Sequence, residues 1–206
     1  GSANWSVGFQ EAEGFNLWNN VQLESNSDFT AWYVEAVAET SRQSLVFNNL
    51  EVSGADPVLR FWHMINSAPG IDGGYVEISN DGGNIFVRMD DEFIKNGYDG
   101  GLAYGTFVIP NLNAFSGAND EFIDSYIDLS AYNGQTISVK FWFGTDGEVD
   151  SELPGTFPGW FVDDFELLDL LTHRAAACIS SAEGDDACTD PSETVVNALP
   201  PSSTSE

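Results

Sequence analysis

The chain has 206 residues, with 6 Lys plus Arg against 33 Asp plus Glu, for a formal net charge of -27. Such a surface repels phosphate backbones and anionic lipid, which argues against nucleic acid or a bare membrane as partner, and it attracts cations. No apolar run approaches the roughly 20 residues that span a bilayer, while 42% hydrophobic and 13% aromatic residues argue for a packed core over disorder.

Gly1-Ser2 reads as a cloning remnant within residues 1–3, so the chain is expected to derive from a longer precursor whose targeting segment lies elsewhere. From there one domain is expected over residues 4–171. Ala31 to Thr40 has the composition of a helix, but Trp32, Tyr33 and Val34 are strong β formers, so its first half is predicted as strand. Ser44 to Phe47 is the next strand. Pro57 to Ile65 alternates, with Leu59, Phe61 and Ile65 opposite Val58, Arg60 and Trp62. Gly74 to Ser79 and Ile85 to Met89 are predicted to form a hairpin across Asn80-Asp81-Gly82-Gly83. Residues 91–96 suggest one helical turn.

Asn96 to Asn119 is a long Gly-rich insertion bearing Tyr98, Tyr104, Phe107 and Phe115. It is predicted as a partly ordered loop with packing of its own, including a strand from Thr106 to Ile109. Tyr126 to Leu129 follows, then the turn Tyr132-Asn133-Gly134. Thr136 to Phe143 has the clearest period of two: Ile137, Val139, Phe141 and Phe143 share a face, and Ser138, Lys140 and Trp142 take the other. Trp160 to Leu168 is the last strand. Many short strands punctuated by Gly- and Asp-rich turns predict an all-β fold, an antiparallel β-sandwich.

Residues 172–206 read as a flexible C-terminal linker or tail, small, polar and Pro-bearing, that holds both cysteines. Cys178 and Cys188 are expected to form a disulfide closing a small loop in an oxidising, extracellular compartment.

Catalysis has little to build on. The two histidines are His63, which alternation aligns with Phe61 and Ile65 as a buried, hydrogen-bonded residue, and His173 at the start of the tail. Neither sits in a Gly-x-Ser-x-Gly or His-Glu-x-x-His setting. Acid pairs abound, so a glycoside hydrolase reading exists, yet no particular pair stands out as its site.

Calcium takes six to eight oxygens from carboxylates, carbonyls and water, which this composition can supply. Three clusters are candidate ligand sets: Asp72 with Glu77, the acidic loop holding Asp146 and Asp150, and Asp163-Asp164 inside an apolar strand. The third is the sharpest, because a carboxylate in a half-buried strand requires a compensating partner. That partner is either a cation or a set of hydrogen-bond donors. Alternation groups Asp163 with Phe161 and Phe165, and Asp164 with Trp160 and Val162. Trp62, Trp142, Tyr98 and Tyr104 are the candidates for an aromatic glycan platform.

Leu59-Arg60-Phe61-Trp62-His63, Asp72-Gly73-Gly74-Tyr75-Val76-Glu77-Ile78-Ser79-Asn80-Asp81-Gly82-Gly83, Ile127-Asp128-Leu129-Ser130-Ala131-Tyr132-Asn133-Gly134-Gln135, Val139-Lys140-Phe141-Trp142-Phe143 and Gly159-Trp160-Phe161-Val162-Asp163-Asp164 occur in that order. Together they resemble the MAM-like jelly-roll domain of secreted bacterial metallopeptidases of the immune inhibitor A type, over about residues 5–170. Tyr104-Gly105-Thr106-Phe107-Val108-Ile109-Pro110 is similar to domains appended to fungalysin-type peptidases. The resemblance implies a calcium-stabilised, concanavalin-like jelly roll carried apart from a catalytic domain. The expected function is therefore that of a non-catalytic extracellular module of a larger secreted bacterial protein, a peptidase or adhesin. It would serve attachment, substrate capture or domain support, with neighbouring domains and an extracellular glycan or protein as partners. The alternative is a carbohydrate-binding module.

Overall fold

The computed structural model describes residues 4–10, 17–27, 30–102, 112–119, 121–147 and 158–171. In chain order the strands are β1 Trp5–Gln10, β2 Asn19–Val21, β3 Ala31–Glu35, β4 Thr40–Glu51, β5 Pro57–Asn66, β6 Gly73–Ser79, β7 Val87–Arg88, β8 Phe93–Lys95, β9 Gly100–Gly101, β10 Asn113–Ala114, β11 Ile123–Asp128, β12 Thr136–Asp146 and β13 Gly159–Asp169. A 3-10 turn at Ser130–Tyr132 leads into β12. Among the described residues no helix is long and apolar enough to cross a membrane.

The strands make two antiparallel sheets: a first in the order β1-β4-β12-β6-β7 and a second in the order β2-β3-β13-β5-β11-β8. The chain changes sheet at almost every long connection, from β3 to β4, β4 to β5, β5 to β6, β11 to β12 and β12 to β13. That crossing pattern is what lets two sheets share one core without adjacent hairpins, as in a jelly roll. The fold is an antiparallel β-sandwich.

The core forms where alternation directs it. Ile137, Val139, Phe141 and Phe143 of β12 face Leu59, Phe61 and Ile65 of β5 and Trp160 and Val162 of β13. Val76 and Ile78 of β6 complete the first sheet's inner face. Trp160 is central, and it explains a glycine: a Cβ on Gly74 would run into the Trp160 ring. Ala31 to Glu35 is strand, as its β formers require.

One local expectation fails. Residues 91–96 contain β8, not a helical turn, because Phe93–Lys95 completes the second sheet's edge against β11. The 96–119 insertion holds its own ribbon, β9 with β10, tied to β6 through a reciprocal pair of backbone hydrogen bonds between Gly74 and Phe115. The predicted strand at 106–109, Tyr104, Asp150, His173, and the tail with Cys178 and Cys188 lie outside the described residues.

Candidate functional site

His63 is fully buried, and its surroundings fix its chemistry. The Trp160 indole N–H donates to Nδ1 at 3.2 Å, so Nδ1 is the acceptor and the proton sits on Nε2. Nε2 lies 2.9 Å from Ser125 Oγ, and that hydroxyl donates onward to the Asn96 carbonyl at 2.6 Å. Burial lowers the imidazole pKa to about 3. A neutral ring with both nitrogens engaged is a core element, not an acid or base at a surface.

The Asp163-Asp164 pair sits on a β-bulge. The register between β13 and β5 shifts between Asp163 and Glu166, and Asp164 adopts φ 43°. One extra residue reverses the alternation. Trp160 and Val162 point inward before the bulge, and Phe165 and Leu167 pack on the core after it. The sequence grouping of Asp163 with Phe165 is therefore wrong: Phe161 faces outward, stacked on Tyr33 at 4.3 Å, whereas Phe165 meets Phe47 at 4.6 Å on the inside.

The bulge aims both carboxylates at the 26–27 loop. Asn26 N and Ser27 N donate to Asp163 Oδ2 at 2.8 and 3.2 Å, and Asp164 N donates to Asp163 Oδ1 at 2.9 Å. Asn26 Nδ2 reaches Asp164 Oδ2 at 2.7 Å, and Ser27 Oγ donates to Asp164 Oδ1. Burial raises the Asp163 pKa, partly offset by these backbone donors. Asn26 and Ser27 carried no signal in the sequence, since they lie more than a hundred residues away. Asn26 turns its Nδ2, not its oxygen, toward Asp164, so the side-chain oxygens a calcium ion could take here are those of the two carboxylates and the Ser27 hydroxyl. Among the described residues, however, no group of three or more His, Cys, Asp or Glu gathers anywhere.

The other two clusters are rearranged. Asp72 is buried beside the end of β12, where the Asp146 backbone N–H donates to its Oδ1 at 2.9 Å, so these two residues meet through the Asp146 backbone. Glu77 does not join them. Five residues along β6 carry it roughly 16 Å away, and it accepts the Trp142 indole N–H at 2.7 Å and lies 3.7 Å from Lys140 Nζ.

The aromatic candidates divide. Trp62 points outward from the second sheet and is half-buried, with Asp124 of β11 and Asp163 of β13 as its direct cross-strand neighbours. Lys95 holds Asp124 at 2.8 Å. Trp142 also points outward, from the first sheet, but is only 7% exposed, because Leu102, Ala114 and Tyr98 cover it together with Tyr75. Alternation sets the direction of Trp142, and the insertion sets its exposure. Tyr98 is likewise tucked in, donating to the Val76 carbonyl and packing on Phe93 and Phe115. Three cations meet here, of which the sequence places only Lys140 on the Trp142 face of its strand. Arg42, Arg88 and Lys140 converge on this covered aromatic face: Arg42 lies 4.3 Å from the Trp142 centroid, Arg88 5.2 and 5.0 Å from Tyr75 and Tyr98, and Lys140 5.0 Å from Trp142. They take outward places on β4, β12 and β7 of one sheet.

No family model matches the chain. It is 34% identical over 121 residues to the pre-pro-metalloprotease PrtV of Vibrio cholerae serotype O1 (strain M66-2), a stretch that is 56% of this chain and 10% of that protein. It is 32% identical over 95 residues to bacillopeptidase F of Bacillus subtilis (strain 168), 43% of this chain and 6% of the relative. The matched stretch thus spans a tenth or less of the length of either relative. Among solved structures, the K3 cleaved adhesin domain of Lys-gingipain from Porphyromonas gingivalis W83 aligns with a TM-score of 0.47 at 16% identity, covering 81% of this chain and 92% of that one. A TmCBM61 structure in complex with β-1,4-galactotriose aligns at 0.45 with 14% identity, covering 81% and 89%.

Proposed function

We propose that this chain is a non-catalytic, extracellular module of a larger secreted bacterial protein, a peptidase or adhesin, and that it serves attachment, substrate capture or support of a neighbouring domain. The observation that carries the reading is the 34% identity to a stretch amounting to only 10% of a metalloprotease, on a chain with no zinc-protease motif. The closed hydrogen-bond chain around His63 supports it, since a general base must reach a substrate. The order of motifs on β5, β6, β11, β12 and β13 favours the MAM-like jelly roll as the finer description.

Calcium is part of this proposal. Asp163 and Asp164, with the Ser27 hydroxyl, would hold the ion, and Asp72 with Asp146 would be a second position. Bound calcium would supply the charge that now comes only from donors, fixing the bulge to the 26–27 loop. One preparation tests both parts. The purified chain should turn over neither casein nor generic aryl glycosides, and its Tm should fall in chelator and recover with calcium. A melting curve indifferent to chelator removes the calcium, and turnover lost in Asp163→Asn overturns the non-catalytic reading.

A glycan-binding role is the second reading, favoured by Trp62 standing outward between two carboxylates, where a ring could stack and hydroxyls could be hydrogen-bonded. Titration against a panel of neutral polysaccharides should show binding that Trp62→Ala abolishes while the Tm is kept. Silence across the panel sinks it.

A further inference from the structure

The outer face of the first sheet carries half of the chain's basic residues. Lys plus Arg number 6 in all, and Arg42 of β4, Lys140 of β12 and Arg88 of β7 stand within one patch over Tyr75, Tyr98 and Trp142. The register shows how two of them are neutralised. Glu77 sits directly opposite Lys140 on one side and Arg88 on the other. Lys140 lies 3.7 Å from Glu77, and Arg88 takes Asp90 at 2.7 Å.

Arg42 has no such partner. Among the described residues it makes no ion pair, its one hydrogen bond runs from Nη2 to the Tyr75 hydroxyl, and its buried Nε has no acceptor. A guanidinium has five donors. Leaving its buried Nε without an acceptor, beside a second cation, is costly in a half-buried site. Carboxylates are the commonest charged groups in this chain, so one at a neighbouring position was easily available. Lys140 also registers the crowding: desolvation lowers its pKa, and the Arg42 charge lowers it further against the raising effect of Glu77.

We propose that Arg42, seated on Trp142 and Tyr75 and flanked by Lys140, is the centre of a subsite for a single carboxylate on an otherwise uncharged ligand. The planar fork of a guanidinium matches a carboxylate in two parallel hydrogen bonds. The net charge of -27 restricts the rest of the ligand, because a polyanion is repelled long before it reaches the patch. The ring faces are already covered by cations, so the carboxylate, and not a stacked sugar face, is what the patch reads. This site lies on the opposite sheet from Trp62 and does not depend on the glycan reading.

The competing account is a purely structural clamp, with Arg42 pinning two rings. Indole N–H resonances of the full chain, with Trp142 assigned through Trp142→Phe, separate the two. Acetate titrated against chloride at constant ionic strength should move the Trp142 peak saturably, and Arg42→Gln should weaken that binding about tenfold. Should Arg42→Gln not fold, Arg42→Lys keeps the charge, loses the fork and should show the same weakening. Two matched pairs give the source: N-acetylglycine against its amide, and glucuronate against glucose. Binding by an acid and not by its neutral counterpart supports the subsite. A peak that stays still, follows chloride equally, moves alike with acid and neutral probes, or responds unchanged in the Arg42 variants overturns it.

Discussion

His63 illustrates how a single residue's chemistry follows from its neighbours. A histidine in an aqueous loop titrates near neutrality, but this one is enclosed by Phe61, Phe115 and Trp160 and has both nitrogens hydrogen-bonded. Its folded pKa is lowered to about 3 by burial, whereas in the unfolded chain it returns to about 6.5. Below the unfolded value the unfolded state therefore binds the proton and the folded state does not. The stability contributed by a neutral His63 is complete above pH 7 and is lost as the pH falls toward the folded value. In urea melts the wild type should lose stability between pH 6 and 4 faster than His63→Gln, by up to about 1.4 kcal/mol per pH unit. Carboxylate protonation acts on both proteins and cancels in the difference. Parallel slopes would show that the ring titrates normally.

At the scale of elements, period-two alternation was the legible part. It assigned the inward faces of β5 and β12 correctly, because both strands run straight through the core with one residue per step. It failed at β13, where the bulge at Asp163 and Asp164 inserts a residue and exchanges the two faces. A bulge depends on the local backbone, here Asp164 at φ 43°, and on partners such as Asn26 and Ser27 that come from a distant loop. Hydrophobic spacing carries neither. The grouping of Asp72 with Glu77 failed for a simpler reason: five residues are close in a turn and far apart on an extended strand. Asp72 instead meets Asp146, a contact created by sheet assembly. The phase of Trp142 directs it outward, and its cover comes from Leu102 and Ala114 in the insertion. Pattern reports direction, while exposure depends on what else packs there.

For the whole molecule, the largest unresolved tension is charge. Against 33 acidic residues the chain sets 6 basic ones, and the ion pairs of the described residues involve only Arg60, Arg88, Lys95 and Lys140. Such pairs at a surface contribute about 0–1 kcal/mol each, and salt weakens them. Repulsion among the remaining carboxylates acts in the other direction, over a range set by the Debye length, about 30 Å at 0.01 M and about 3 Å at 1 M. With so few attractive pairs the repulsive term wins, so the Tm in chelator should rise as NaCl is increased from 0.01 to 0.5 M. This separates two uses of cations. Sodium acts by screening and should show a gradual response over the whole range. Calcium at a bulge held by Asp163 and Asp164 should act at concentrations too low to change ionic strength, and Asp164→Asn should remove that response while leaving the sodium response intact. A Tm that is flat or falls with NaCl would mean that the few ion pairs outweigh the repulsion. In that case the acidic surface is already compensated within the fold, and the need for a bound cation loses its electrostatic basis.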